Sequence, residues 1–398
     1  MSGNPDAARP GASAATIVAH DDAFPFGAVV PPIFQSSLFT FADYDELAAR
    51  FRGEGRHPIY SRVDNPTTAE FERKLAALEG AEAARGFASG MAAISTVILG
   101  LCQSGDRIVC VRHVYPDSYR LMRRLLPRLG IAVEFVDGGD PVAVARALPG
   151  ARLLYLESPS SWVFGTQELA RLAALARSHQ VVTVIDNSWA SPIFQRPLEH
   201  GIDLVLHSAS KYLGGHSDVV AGVVAGSRAL IAGLDEVAFP YLGAKLSPLD
   251  AWLLVRGLRT LPLRMRRHHE SGLAIADRLA GHPAVVRVLH PAFSNEPGRA
   301  TLSGWSGLFA IELPETVSIR AFCDALRMFK LGVSWGGHES LAFPAEVGLQ
   351  QAGGINSMRD FGVSPRLVRL HIGLEEVEDL WADLQQALTA SATMEKGR

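Results

Sequence analysis

His207-Ser208-Ala209-Ser210-Lys211-Tyr212-Leu213-Gly214-Gly215-His216-Ser217-Asp218 is the stretch from which the rest of this 398-residue chain is best read. It follows the apolar run Ile202-Asp203-Leu204-Val205-Leu206, so a buried strand delivers one lysine, preceded by hydroxyl residues, to its end. A lysine amine becomes a nucleophile only where desolvation or a neighbouring charge lowers its pKa. The apolar run carries Lys211 away from bulk water, which makes it the candidate Schiff-base lysine. Ser208 and Ser210 can donate hydroxyl hydrogen bonds to phosphate oxygens, and Gly214-Gly215 lets backbone approach closely. An arbitrary lysine is a solvated loop residue about nine times in ten; the context of this one outweighs that expectation.

Val181-Val182-Thr183-Val184-Ile185-Asp186 is the second informative run. Continuous apolar residues closed by an acid describe a parallel strand buried on both faces, with one carboxylate at its C-terminal edge. Ligands of open α/β sheets bind at that edge, where Lys211 also arrives. A carboxylate there can pair with a protonated pyridine nitrogen, and lysine plus aspartate is the pair that pyridoxal phosphate requires.

Further apolar strands are expected near Ile108–Val111, Val133–Val136, Leu153–Leu156, Leu204–Leu206 and Val219–Val224, with helical stretches between most of them. This alternation predicts an α/β protein with a mainly parallel sheet covered on both sides. The 48% hydrophobic content supports a sizeable core, and a formal charge of -3 gives no reason to expect nucleic acid or an anionic membrane as partner. Cys102, Cys110 and Cys323 are too few and too scattered for a disulfide framework or a zinc site. The adjacent His268 and His269 lie about 100° apart on a helix, a poor arrangement for one metal, so no metal is expected. With no signal-peptide pattern and no membrane-span run, the expected location is cytoplasmic.

Ser208 to Asp218 and Asp186-Asn187-Ser188-Trp189-Ala190 resemble the two central motifs of the Cys/Met-metabolism pyridoxal-phosphate enzymes, a family that includes cystathionine β-lyases, cystathionine γ-synthases, γ-lyases and O-acylhomoserine sulfhydrylases. The resemblance runs from about Gly27 to about Leu388, with the motifs in family order. It implies the fold type I, aspartate aminotransferase-like architecture: a mainly parallel seven-stranded sheet and a smaller C-terminal α/β domain. On that basis residues 1–60 are expected to be a tail and intersubunit arm, 61–250 the pyridoxal-phosphate domain and 251–398 the C-terminal domain.

Several weaker signals gain meaning beside these motifs. Residues 1 to about 20 are Gly/Ala/Ser/Pro-rich without periodicity and read as a loose tail. The apolar, proline-broken segment Phe26 to Phe41 cannot form a regular helix; the resemblance has it reach a neighbouring subunit. In Tyr60-Ser61-Arg62-Val63-Asp64-Asn65-Pro66-Thr67-Thr68, alternation in an extended segment would put Tyr60 and Arg62 on one side. Thr67 or Thr68 would then cap a helix from Ala69 to Leu78. The resemblance assigns Tyr60 and Arg62 to the cofactor phosphate of the partner subunit, in a homodimer with shared active sites that pairs into a homotetramer.

Phe87-Ala88-Ser89-Gly90-Met91 switches from strand-like to helix-like pattern, placing free N–H groups at the sheet's mouth. By resemblance Gly90 and Met91 bind phosphate through their backbone. Tyr115, after the strand Ile108–Val111, can stack on the pyridine face and assist proton movement. The arginines Arg120, Arg123, Arg124 and Arg128 that follow read as a solvated face.

Glu157-Ser158-Pro159-Ser160-Ser161-Trp162 and Ser334-Trp335-Gly336-Gly337 carry the specificity signals. Ser161, Trp162 and Trp335 lean toward the β-lyase branch, with Ser161, Ser334 and Trp335 expected around the substrate. Tyr60 to Thr67 and Ser89-Gly90-Met91 fit the γ-specific branch better, and Val333 departs from both patterns. Val368-Arg369-Leu370-His371 resembles the family's C-terminal motif, and the resemblance implies that Arg369 holds the substrate α-carboxylate in a bidentate fork. The expected reaction is therefore β-elimination of L-cystathionine or a related cysteine thioether to pyruvate, ammonia and a thiol. A γ-specific lyase, synthase or sulfhydrylase is the alternative.

Overall fold

A computed structural model describes residues 12–21 and 24–392. Seven strands among them form the larger sheet: β1 Ala83–Phe87, β2 Arg107–Val111, β3 Ala132–Val136, β4 Leu153–Glu157, β5 Val182–Asp186, β6 Leu204–Ser208 and β7 Gly222–Gly226. Their order is β1-β7-β6-β5-β4-β2-β3. β7 runs antiparallel to both β1 and β6, whereas the other pairings are parallel. All strands but β7 therefore point one way, and their carboxyl ends gather along one edge. β4 and β7 are buried at every position, which explains why these strands read as unbroken apolar runs rather than as alternation. The expected seven-stranded, mainly parallel sheet is observed.

The helix Pro248–Ala280, 33 residues and about 50 Å long, joins the two cores. Its first half buries Ala251, Leu254, Leu258 and Met265 against the larger domain. Its second half buries Ile275, Ala276 and Leu279 against a smaller sheet. That sheet has the order β10-β11-β12-β9-β8, with β8 Arg287–Leu289, β9 Leu308–Glu312, β10 Lys330–Leu331, β11 Leu341–Pro344 and β12 Leu367–His371. Among the described residues no helix is long and apolar enough to cross a membrane.

Three local expectations are corrected. The first concerns the loose tail. Residues 1–11 lie outside the described chain, but Ala14–Ala19 is a helix capped by Ser13, with Val18 buried. The reason is a buried cation: Lys74 donates to the carbonyls of Ile17 at 3.2 Å and His20 at 3.0 Å. It also pairs with Asp21 at 2.5 Å, which holds Arg259 at 2.6 Å. Such partners lie more than 50 residues away and leave no local pattern.

The second correction is the start of the following helix, Pro66–Glu79. Its cap is Asn65, whose side chain accepts the Thr67 N–H at 2.9 Å, with Pro66 in the first turn. The third is Tyr60 to Arg62, which occupies a turn in which the N–H groups of Val63 and Asp64 donate to the Tyr60 carbonyl, not an extended segment. The apolar arm that precedes it stays open within one chain: Phe26, Val29, Ile33 and Leu38 are exposed.

Candidate active site

Lys211 sits one turn beyond β6, where its backbone N–H donates to the Ser208 carbonyl at 3.1 Å. Its amine donates to Ser334 Oγ at 2.6 Å and lies 5.4 Å from the centre of the Trp335 ring. Burial, helped by the positive charge of Arg369 and opposed by Asp186, pulls the amine down to about 8. This is the environment that turns a lysine into a usable base near neutrality. The contact with Ser334 belongs to a broader apposition of the two domains. Gly336, at φ +88°, lies so close that a Cβ there would stand 2.9 Å from Lys211 Cα, so only glycine fits.

Asp186 closes β5 and is buried. Burial raises its pKa, against hydrogen bonds from the Ser188 hydroxyl at 2.6 Å and N–H at 3.0 Å and the nearby charges of His207 and Lys211. The same Ser188 oxygen accepts the Ser208 N–H at 2.7 Å, so the strand ends of β5 and β6 share one hydroxyl bridge. Below them His207 meets Glu79 at 2.5 Å, both wholly buried.

Ser89 ends the connection from β1 and caps the helix Gly90–Leu101 through the Ala92 N–H at 3.0 Å. The first-turn N–H groups of Gly90 and Met91 have no carbonyl within the helix to bond. A Cβ on Gly90 would fall 3.0 Å from Ser208 Cβ and Oγ, so the helix start and the Ser208 hydroxyl form one narrow cradle. Ser210 is turned elsewhere: its hydroxyl accepts the Ala221 N–H at 3.0 Å and donates to the Ala221 carbonyl at 3.2 Å.

Tyr115 stands half exposed at the mouth. Its N–H donates to Glu157 at 2.7 Å and its hydroxyl to Asp117 at 2.9 Å. Burial and the Asp117 charge push the phenol up to about 12, which disfavours the phenolate and leaves the ring face as its plainest contribution. Arg369, on β12, is buried and donates to the Val333 carbonyl at 2.5 Å. Among the described residues no carboxylate pairs with it, so the structural salt bridge that would account for a buried arginine is not made. Ser161 donates its N–H to the His113 carbonyl at 2.7 Å, in the loop that follows β4.

Lys211, Asp186, Ser334, Trp335 and Arg369 are thus brought to one place, with Gly90, Ser208 and Tyr115 on its border. Among the described residues Tyr60 and Arg62 are not joined to this cluster by any hydrogen bond. Arg62 lies 6.0 Å from the Tyr60 ring and reaches the Pro240 carbonyl at 3.4 Å.

Residues given no contact in the site from the sequence also belong here. Glu157 pairs in register with Asp186, its pKa held well above the carboxylate range by burial and by the Asp186 charge. The strand-end rule that singled out Asp186 applies to it equally. His371 accepts the Gly336 N–H at 3.1 Å through Nε2, and Trp162 and Phe343 each lie 5.4 Å from the Arg369 guanidinium. Periodicity alone could not find the roles of His371, Trp162 and Phe343, because each acts through a contact between distant segments.

The donor set fits pyridoxal phosphate. A narrow backbone cradle with a serine hydroxyl suits a phosphate, a buried carboxylate suits a pyridinium, and a lysine amine lowered to about 8 suits an aldehyde. The model of the Cys/Met metabolism PLP-dependent enzymes matches residues 13–389. An L-methionine γ-lyase of Pseudomonas putida is 40% identical over 378 residues, covering 92% of this chain and 94% of that protein. A cystathionine β-lyase of Lactococcus lactis subsp. cremoris is 35% identical over 369 residues, covering 91% and 94%. The crystal structure of a cystathionine γ-synthase from Xanthomonas oryzae pv. oryzae, in complex with aminoacrylate and cysteine, superposes with a TM-score of 0.89 at 36% identity, covering 96% of this chain and 100% of that one.

Proposed function

This chain belongs to the Cys/Met-metabolism PLP-dependent enzymes, and on that premise we propose that it cleaves the carbon–sulfur bond of an amino-acid thioether by β-elimination, with L-cystathionine or a related cysteine thioether as substrate. The observation that carries this reading is the Trp335 indole, 5.4 Å from the Lys211 amine. A ring of that size beside the base narrows the slot open to the substrate side chain, and we read that narrowing as favouring a leaving sulfur one carbon from Cα.

Pyridoxal phosphate, when bound, supplies an aldehyde for the substrate amine and a pyridinium ring that accepts the electron pair left by the Cα proton. The first-turn N–H groups of Gly90 and Met91 and the Ser208 hydroxyl would hold its phosphate; Ser210 would join them by giving up its bond to Ala221. Asp186 would keep the ring nitrogen protonated, and the Tyr115 ring would cover one face. Arg369 would bind the α-carboxylate beside Ser161 and orient Cα toward Lys211. The Lys211 amine then takes the Cα proton, while Ser334, accepting from that amine, fixes where it points. Loss of the β-thiolate and hydrolysis give pyruvate, ammonia and homocysteine from L-cystathionine.

We place Tyr60, Arg62 and the exposed arm with Phe26, Val29, Ile33 and Leu38 against a second copy of the chain. The support is that this apolar surface is uncovered in one copy, and that among the described residues Tyr60 and Arg62 make no bond to their own Lys211 cluster. A homodimer with shared sites, and pairing of dimers into a tetramer, complete this reading.

The 40% identity with an L-methionine γ-lyase favours a second reading, γ-elimination, which requires a further proton removal at Cβ. Incubation with L-cystathionine and, separately, L-methionine decides between them. Pyruvate with homocysteine from the first supports β-elimination; 2-oxobutyrate from either overturns it in favour of the γ-reaction.

A further inference from the structure

Trp162 has no part in the chemistry above, yet it is almost fully buried, at 3% exposure, in a cluster with Ala345, Met358, Val363 and Leu367. Its backbone φ of +69° is unusual for a bulky residue. The loop enforces that conformation: Ser160 donates to the Gly165 carbonyl at 2.9 Å, Phe164 to that of Ser160 at 3.1 Å, and Ser161 to that of His113 at 2.7 Å. Strain held by surrounding bonds in this way marks a side chain whose direction matters.

The direction is toward Arg369. The guanidinium carbon lies 5.4 Å from the Trp162 ring and 5.4 Å from the Phe343 ring, and the two rings are 5.5 Å apart at 45°. Three nearly equal sides describe a nearly equilateral triangle. The rings therefore form a corner on one flank of the guanidinium and do not sandwich it. Its Nη2 reaches the carbonyl of Val333, while Nε and Nη1 have no hydrogen-bond partner among the described residues. A buried cation is ordinarily held by an anion, which would cancel its charge for any ligand. Here ring quadrupoles and a carbonyl hold it instead.

We propose that Trp162 is a positioning residue for carboxylate capture: the Trp162–Phe343 corner holds Arg369 in place of an internal acid, so that its open flank presents an unneutralised fork to an incoming carboxylate. This rests on the reading of Arg369 as the carboxylate receptor. The corner acts on binding and orientation, and touches neither the proton transfer at Lys211 nor the cradle at Gly90.

The test uses holoenzyme, with cofactor loading confirmed by visible absorbance, and two small probes. Glycine carries an amine and a carboxylate; ethylamine carries the amine alone. Titration of Trp162→Leu should show a glycine Kd raised about tenfold with ethylamine binding unchanged. Trp162→Phe, which keeps a ring, should recover most of the affinity, and Phe343→Leu should repeat the loss from the other side of the corner. An unchanged glycine Kd in both leucine variants overturns the proposal, as does an equal loss for both probes, which would mark a general packing role. Arg369→Gln separates the two levels: if it leaves glycine binding intact, the carboxylate reading of Arg369 itself fails; if it abolishes binding while the leucine variants do not, only the corner fails.

Discussion

The Lys211 amine and the Ser334 hydroxyl meet at 2.6 Å although 123 residues separate them in the chain. One belongs to the larger domain and the other to the smaller, so the amine is oriented only when both domains are folded and docked. Gly336 seals the docking, since any larger residue would strike the Lys211 backbone.

The amine lowered to about 8 leads to a pH profile. A lysine acts as a base only when neutral, so kcat should rise about tenfold per unit below pH ~8 and level off above it. Steady-state rates across that range check this, and a profile flat from pH ~6 to ~9 would contradict it. Lys211→Ala should still bind cofactor and amino acid while keto-acid release falls at least about a thousandfold.

The same shift affects stability, with a definite sign. The folded pKa of Lys211 lies below the ordinary value of about 10.4, so between about pH 8 and 10.4 the unfolded chain binds more protons and stability rises with pH. Below pH ~8 the cost of burying the charge is fully present. Lys211→Met should therefore raise the thermal midpoint of the cofactor-free protein at pH 7 and flatten its dependence in that window, as followed by circular dichroism.

Asp186→Asn keeps the shape of the β5 end but cannot hold a ring nitrogen protonated. We expect kcat to drop by about a hundredfold or more, with cofactor retained through the Gly90–Ser208 cradle. Equilibrium dialysis of the cofactor alongside turnover separates the two effects; loss of cofactor with normal turnover per loaded site would refute the assignment.

Glu79 and His207 are a buried pair at 2.5 Å, and removing one partner strands the other. Glu79→Ala should cost about 3–5 kcal/mol in urea unfolding, while Glu79→Leu combined with His207→Phe should recover most of that loss. Additive losses in the double variant would show that the pair is not coupled.

The proposed sharing of sites between copies predicts complementation. Arg62→Ala and Lys211→Ala homodimers should each be inactive, yet mixed dimers assemble one site with both residues intact. Random pairing then restores about a quarter of the wild-type sites. Co-refolded mixtures that stay inactive, with mixed dimers present by mass spectrometry, would place Arg62 outside the site.

Much of this architecture was legible beforehand, and the reason is visible in particular strands. β4 and β5 are covered on both faces, so burial writes itself into Leu153–Leu156 and Val181–Ile185 as unbroken apolar runs, and the polar residue that ends each run, Glu157 or Asp186, marks the ligand edge. The N-terminal helix at Ala14–Ala19 was not legible, because its docking depends on Lys74 rather than on its own periodicity. Nor was the turn at Tyr60, or the binding of Ser210 to Ala221: two-residue spacing is ambiguous between a strand and a turn, and a hydroxyl's partner is chosen by whichever backbone is nearest.

The sequence by itself determined the fold class and placed one lysine, Lys211, and one carboxylate, Asp186, at strand ends, since each is encoded by the local order of apolar and polar residues along one strand. Only the tertiary structure decided what surrounds them: that Ser334 and Gly336 close over Lys211, that Asp186 shares Ser188 with Ser208, and that Arg369 faces two aromatic rings and no acid. Those relations join segments tens to hundreds of residues apart. They follow from how two hydrophobic cores pack against one long helix, a condition on the whole chain that no local stretch can express.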